Sequence, residues 1–128
     1  MMDIYRELIL DHYKHPRNFG HLDHADAVAE EHNTTCGDRI VMEVKLKRQS
    51  VKASKYQKVV TQIRFSGEGC AISQASASML TEEAIGKSVE EIMNLKTESI
   101  LEMLGTDLTS SRVKCAVLSL EVLQKAIS

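Results

Sequence analysis

Residues 40–47 have the sequence IVMEVKLK, and this stretch decides the fold. One set of alternate positions is wholly apolar, whereas the other set is mostly charged. Such a period of two is typical of a β-strand with one buried face. Residues 59–65, VVTQIRF, alternate in a similar way. The two stretches are therefore expected to pair as a hairpin, with the polar residues 48–58 forming an extended tip.

Helical patterns surround this predicted hairpin. Residues 3–15 carry apolar side chains at spacings of three and four and end at Pro16. Residues 25–31 are a weaker strand candidate. Further helices are predicted over residues 70–84, 88–95, 97–104 and 110–127. The order of one helix, then strands, then several helices indicates an α+β domain rather than alternating βαβ units.

Length and composition exclude several classes of protein. The 128 residues are expected to form a single domain, residues 1–128, and 16 basic against 18 acidic residues lack the basic excess of a nucleic-acid binder. No stretch is long and apolar enough for a membrane span, and acidic residues interrupt the N-terminal apolar stretch, which argues against a secretory signal. The hydrophobic content of 43% favours a packed core over disorder. We expect a cytoplasmic protein.

The three cysteines are an odd number and are expected to be reduced thiols. Cys36 lies in a glycine-bearing turn before a strand. Cys70 begins a predicted helix, whose positive end favours a thiolate, and Cys115 has Arg112 and Lys114 beside it. Helical periodicity places Cys115 opposite an apolar stripe, which lies at Val113, Val117, Leu120 and Ile127. All three thiols are predicted to ionise more readily than a core cysteine, although a second core face is the alternative for Cys115.

Asp38 adds a carboxylate two residues after Cys36. Three thiolates and one carboxylate suit tetrahedral Zn²⁺ or an iron–sulfur cluster, although the sequence has no C-x-x-C pair. The alternative for Asp38 is a turn residue. The five histidines show no ligand pattern and are predicted to lie at the surface. The basic residues between 45 and 58 are expected to be a solvated hairpin tip, or a surface that helps a partner to find the protein.

Four motifs resemble those of the U-type iron–sulfur cluster assembly family, which includes IscU, SufU and the N-terminal domain of NifU. Lys114, before the last cysteine, resembles the SufU branch. The chain differs from that branch because it lacks an insertion between Cys70 and Cys115, and its interval from Cys36 to Cys70 is longer than usual. The four motifs, in the family's order, are YRELILDHYKHPRNFG (residues 5–20), NTTCGD (33–38), GEGCAISQASASM (67–79) and RVKCA (112–116).

This resemblance implies an α+β fold in which helices pack on a small three-stranded antiparallel sheet, as in SufE/IscU-like proteins. Cys36, Asp38, Cys70 and Cys115 would meet at one exposed end of that sheet. There they would hold Zn²⁺ in the protein as isolated, or a transient [2Fe–2S] cluster.

The resemblance also implies a sulfur acceptor and scaffold rather than a stand-alone enzyme. The sulfur donor would be the persulfide of a PLP-dependent cysteine desulfurase, and the recipients would be apo iron–sulfur proteins or downstream carriers. Cys36 is the first choice for the sulfur acceptor and Cys115 the second. No nucleic-acid or membrane partner is expected, and the chain is predicted to be a monomer or weak oligomer.

Two other functions compete with this interpretation. One is a structural zinc-binding domain without sulfur transfer, which is disfavoured because a chain of this length can fold around its own core without a metal. The other is a thiol redox enzyme that works without metal, which is disfavoured by the missing C-x-x-C pair.

Overall fold

A three-stranded antiparallel sheet in the order β1-β2-β3 is the centre of the computed structural model, which describes residues 2–34, 36–53 and 55–128. The helices α2 and α5 pack on the sheet, and α1 packs on α2. The elements are α1 (Met2–Lys14), β1 (Ala27–Asn33), β2 (Asp38–Lys52), β3 (Lys55–Glu68), α2 (Ala71–Ala84), α3 (Val89–Met93), α4 (Thr97–Leu104) and α5 (Ser110–Ile127).

The alternation in β2 places its apolar side chains in the core, as predicted. Ile40, Met42 and Val44 are fully buried, while the residues between them are only partly so. The strands are longer than predicted, because most of the polar tip is also paired, as far as Lys52 opposite Lys55. Two strands can extend into solvent as a ladder of backbone hydrogen bonds, which needs no apolar side chains, so hydropathy does not mark where pairing ends.

Small side chains bring α2 close to α5. Ala75 and Ser76 of α2 have no exposed surface. The Ser76 hydroxyl donates to the backbone oxygen of Ala116 at 2.6 Å and lies 3.1 Å from the Ser119 hydroxyl. These buried hydroxyls are therefore hydrogen-bonded, as most buried polar groups in proteins are. Among the described residues, no helix is long and apolar enough to cross a membrane.

The core face of α5 differs from the predicted stripe. Val113 and Val117 are only half buried, whereas Cys115, Ala116 and Ser119 have no exposed surface. The predicted stripe is confirmed at Leu120 and Ile127, which are buried, and wrong at Val113 and Val117, because the helix turns its small and polar residues towards α2. The alternative for Cys115, a second core face, is confirmed. The bond between Ser76 and Ser119 satisfies the hydroxyls, and the search for an apolar stripe could not detect that bond.

A buried histidine fastens α1 to α2. His12 is 5% exposed, and its Nδ1 lies 2.8 Å from the Ser78 hydroxyl, which also accepts a hydrogen bond from the backbone N–H of Arg17. Its Nε2 lies 3.9 Å from the Glu82 carboxylate. Burial lowers the pKa of His12, and the Arg17 charge lowers it further, against the smaller opposite effects of Glu82 and Asp11. The prediction of surface histidines is therefore wrong for His12.

This histidine makes stability depend on pH. Because the pKa of folded His12 lies below its ordinary value of 6.5, the unfolded chain binds the proton first. The contribution of neutral His12 is therefore complete above about pH 6.5 and is lost as the pH falls through that value towards the lower folded pKa. His12→Gln should flatten the decline in the free energy of unfolding between about pH 7 and 5. Urea titrations measure this decline, and exposed His24→Gln is the control. Equal slopes in His12→Gln and wild type would contradict the assignment.

Candidate metal centre

Three of the four predicted site residues meet at one end of the sheet. They are Cys36, Asp38 and Cys115. The two sulfur atoms and one carboxylate oxygen of this group all lie within 4.8 Å of one another. The Sγ atoms of Cys36 and Cys115 are 3.0 Å apart although 79 residues separate them in the chain. Cys36 is exposed, whereas Asp38 and Cys115 are buried, and both cysteines are free thiols. The group is therefore a buried pair of ligands with one thiol at its rim.

The turn between β1 and β2 places Cys36 and Asp38. The last pair of this ladder joins Asn33 to Asp38, and the N–H of Gly37 donates to the backbone oxygen of Asn33 at 2.8 Å. Gly37 has a φ of +72°, a left-handed conformation that favours glycine. Cys115 comes from the second turn of α5, where its Sγ lies 3.9 Å from the Asn33 amide nitrogen.

The Asp38 carboxylate has one oxygen that the protein leaves unsatisfied. Asp38 is 1% exposed, and its Oδ1 accepts a hydrogen bond from the N–H of Cys70 at 2.9 Å. Its Oδ2 is buried and has no hydrogen-bond partner among the described residues. An unpartnered buried carboxylate oxygen is costly, and a bound cation would remove that cost. This observation favours a ligand role over the turn role that was the alternative.

Glycine at position 69 is what allows Asp38 and Cys70 to approach. A Cβ atom built at Gly69 would overlap Oδ1 of Asp38 and the hydroxyl of Ser73. Ser73 is itself buried and donates to the backbone oxygen of Cys70 at 3.1 Å. Sequence reasoning treated Gly69 only as the end of the sheet and missed Ser73 and Asn33. Only the position of Gly69, directly before a candidate ligand, offered a signal.

Cys70 lies at the N-terminal end of α2, where the helix was predicted to begin. Its side chain is half buried, and its Sγ is 3.9 Å from the Ser73 hydroxyl. The sulfur is not part of the group within 4.8 Å, although Cys70 acts electrostatically on Cys115. Cys70 as a fourth metal ligand therefore stays a prediction.

The environment of Cys115 opposes a free thiolate. Burial raises its pKa far above the ordinary value, and the hydrogen bond that the thiol donates to Cys36, the nearby Asp38 carboxylate and the charge of Cys70 raise it further. The prediction that Arg112 and Lys114 make Cys115 ionise readily is therefore wrong for the metal-free protein. The side chains of these two residues are exposed, whereas Cys115 is buried. Metal binding requires deprotonated thiols and would have to release this proton.

The donor set fits a thiophilic metal ion. Two cysteine sulfurs and a carboxylate with a free buried oxygen are ligands of Zn²⁺, and thiolates are the usual ligands of iron–sulfur clusters. The site lies at the end of the sheet with Cys36 exposed, so a bound metal would be open to exchange. Fold and site together define an α+β protein with a group of two thiols and a carboxylate that could hold a metal ion at one end of its sheet.

Comparison with known proteins identifies the family. The chain belongs to the family of the NifU-like N terminal domain, whose model matches residues 4–128. It is 37% identical to the zinc-dependent sulfurtransferase SufU of Bacillus subtilis, over 98% of this chain and 90% of that protein. It is 36% identical to the iron–sulfur cluster assembly scaffold protein IscU of Aquifex aeolicus, over 96% of this chain and 73% of that protein. The family resemblance of the four motifs is confirmed.

Solved structures confirm the predicted fold. The crystal structure of a hypothetical protein, 30% identical in sequence, superposes on this chain with a TM-score of 0.76. The superposition covers 99% of this chain and 98% of that protein's chain. A putative scaffold protein for the SUF system from Fervidobacterium islandicum AW-1 is 26% identical, with a TM-score of 0.74 and 98% coverage of both chains. The three-stranded antiparallel sheet with packed helices is therefore the fold of this family.

We expect the purified chain to hold about one Zn²⁺, because the donor set and the unsatisfied Oδ2 of Asp38 suit this ion. Cys115→Ala removes one sulfur ligand and should lower the affinity for zinc at least about tenfold, measured in competition with a chelator. Lys114→Ala, at the exposed neighbouring position, is the matched control. Elemental analysis gives the metal content. A zinc-free wild type, or equal affinity in Cys115→Ala, would contradict the site.

Proposed function

We propose that this member of the iron–sulfur scaffold family accepts sulfur at Cys36 from the persulfide of a PLP-dependent cysteine desulfurase. The observation that carries the proposal is the exposed thiol of Cys36, 3.0 Å from the fully buried sulfur of Cys115. Among the three cysteines, Cys36 alone is exposed, so it is the one that a persulfide held on another protein can approach. The name of the B. subtilis relative, a zinc-dependent sulfurtransferase, supports this function.

The proposed transfer is an exchange at sulfur. The Cys36 thiolate attacks the outer sulfur of the desulfurase persulfide and forms a new S–S bond. The S–S bond to the desulfurase cysteine breaks, and that cysteine leaves as a thiolate, so no external oxidant or reductant is needed. Cys115, the second choice as acceptor, has no exposed surface and would need the turn to open first.

Zinc is the proposed resident metal, held by Cys36, Asp38 and Cys115 with Cys70 as the fourth ligand. When bound, it would keep the ligand thiols deprotonated at neutral pH. The protein would supply Asp38 and Cys115 as two buried ligands whose positions are fixed by packing. The glycine turn that carries Cys36 leaves this thiol at the rim of the site.

A transient [2Fe–2S] cluster is the second candidate cargo of the same site. The relatives named IscU scaffold proteins support it. A carboxylate ligand is a harder donor than a fourth thiolate and suits a cluster that must leave. Apo iron–sulfur proteins or downstream carriers would be the recipients, and we propose that both exchanges take place in the cytoplasm.

A purely structural zinc site is disfavoured by the position of the core. The fully buried side chains Ile40, Ile63, Phe65 and Leu123 belong to a hydrophobic cluster that contains none of the cysteines, and the candidate metal centre lies at the end of the sheet. Chelation should therefore leave the far-ultraviolet circular dichroism spectrum unchanged. Unfolding on chelation would instead favour the structural domain.

Cys36→Ala should abolish sulfur acceptance. With a purified cysteine desulfurase and L-cysteine, wild-type chain should gain one sulfur on Cys36 and raise desulfurase turnover, because the exposed thiol removes the persulfide. Mass spectrometry under non-reducing conditions measures the added mass and its position. Cys36→Ala should stay unmodified, whereas Cys115→Ala should still gain sulfur on Cys36. A wild type that gains no sulfur while turnover stays flat would overturn the proposal and leave the cluster scaffold as the function to test by anaerobic reconstitution.

A further inference from the structure

The hairpin between β2 and β3 concentrates the positive charge of the molecule. Residues 45–59, here called the basic arm, contain no acidic residue. The rest of the chain holds ten basic residues and all eighteen acidic ones. A protein with a net charge near zero therefore has a strongly positive arm on a negative body. The six basic residues of the arm are Lys45, Lys47, Arg48, Lys52, Lys55 and Lys58.

The arm is a ribbon of two strands that extends beyond the sheet. Pairing with β1 ends at Val44, so the arm has only its own two strands. Its register sets Arg48 opposite Lys58 and Lys52 opposite Lys55, and like charges directly opposite each other are destabilising. None of these four side chains forms an ion pair with any described residue. The isolated chain thus carries an uncompensated repulsion that an acidic surface would relieve.

An acidic surface of the required kind lies on the helices of the same chain. Residues 82–107 contain seven acidic side chains, all exposed, and only two lysines. Between α2 and α4 lies a cavity of about 340 Å³, with Glu83 and Glu102 among its lining residues and Leu95 and Met103 as apolar walls. Lys87 also lines it. Apolar walls with carboxylates suit a lysine side chain, whose stem packs on apolar groups while its ammonium group stays polar.

We propose that the basic arm docks on residues 82–107 of a second copy of this chain, in a reciprocal two-fold dimer. The base of the arm adjoins the acidic segment, since the N–H of Val60 donates to the backbone oxygen of Lys87 at 2.9 Å and the N–H of Gly86 donates to that of Val60 at 2.7 Å. The base of the arm and the start of the acidic segment are therefore neighbours in the fold. A two-fold axis beside this junction would place each arm against the other copy's acidic helices and close the assembly.

The exposed side chains of the basic arm are of kinds that are common in protein–protein interfaces. Tyr56 is 58% exposed and Val51 51% exposed, and the Arg48 guanidinium lies 4.3 Å from the centre of the Tyr56 ring. Tyrosine and arginine are enriched at protein interfaces. The acidic segment offers Met93, 42% exposed, as an apolar counterpart. The acidic body disfavours a nucleic acid as the occupant, because a long polyanion would also approach the negative helices.

The proposed dimer would leave the metal centre free. Asp38 begins β2 and Lys52 ends it, which corresponds to roughly 45 Å along the strand. The arm and the cysteine site are therefore at opposite ends of one strand. Dimer formation and sulfur transfer can succeed or fail independently.

Sedimentation velocity of the full chain tests the dimer. At about 50 mM salt the wild type should sediment as a dimer, and at about 500 mM salt as a monomer, because salt screens exposed charges. Lys52→Glu/Lys55→Glu and Glu83→Lys/Glu102→Lys should each lose the dimer. An equal mixture of these two variants should form a heterodimer, since each supplies one reversed surface. Arg6→Glu/Lys14→Glu changes the net charge as the arm variant does but on exposed positions of α1, and should still form the dimer.

A wild type that stays monomeric at low salt would overturn the proposal, and the arm charges would then serve to keep exposed strand edges from aggregating. Binding of a single-stranded DNA oligonucleotide or of anionic phosphatidylglycerol vesicles by that monomer would assign the arm to a different occupant. A dimer that survives in the arm variant would place the interface elsewhere. Loss of the dimer in the α1 control as well would show a dependence on net charge rather than on the arm.

Discussion

The buried carboxylate of Asp38 is the constraint on which the candidate metal centre depends. It stands at the first residue of β2 and accepts the N–H of Cys70 at the start of α2, so one side chain joins the sheet to the helical layer. Gly69 leaves the space in which the two elements can approach. The second carboxylate oxygen is buried and has no hydrogen-bond partner among the described residues, and a bound cation would satisfy it.

Exposure divides the roles of the site residues. Asp38 and Cys115 are buried and held by packing. Cys36 is exposed and lies in the β1–β2 turn, beside Gly37 in its left-handed conformation. A site built in this way can keep a metal on its buried ligands and offer its rim thiol to a partner. The basic arm lies at the far end of β2, so the cysteine site and the most strongly charged surface are separated along one strand.

The sequence predicts the order and type of every helix and strand, because alternation and helical periodicity are local signals. It also places Cys36, Asp38 and Cys115 in one site, but only through family resemblance, since no local rule links sulfurs 79 residues apart. Burial of His12 escapes prediction because it depends on the hydroxyl of Ser78 in α2, which hydropathy counts as polar. The length of the arm escapes it because backbone pairing in solvent needs no apolar pattern.

Cobalt substitution tests the metal centre most directly, because the absorption of Co²⁺ reports both geometry and ligand type. Added to the metal-free chain under anaerobic conditions, Co²⁺ should give the intense visible bands of a tetrahedral ion and a near-ultraviolet charge-transfer band from thiolate sulfur. The charge-transfer band should weaken in Cys115→Ala and persist in Lys114→Ala. The weak spectrum of an octahedral ion without thiolate charge transfer would contradict a site built on Cys36, Asp38 and Cys115.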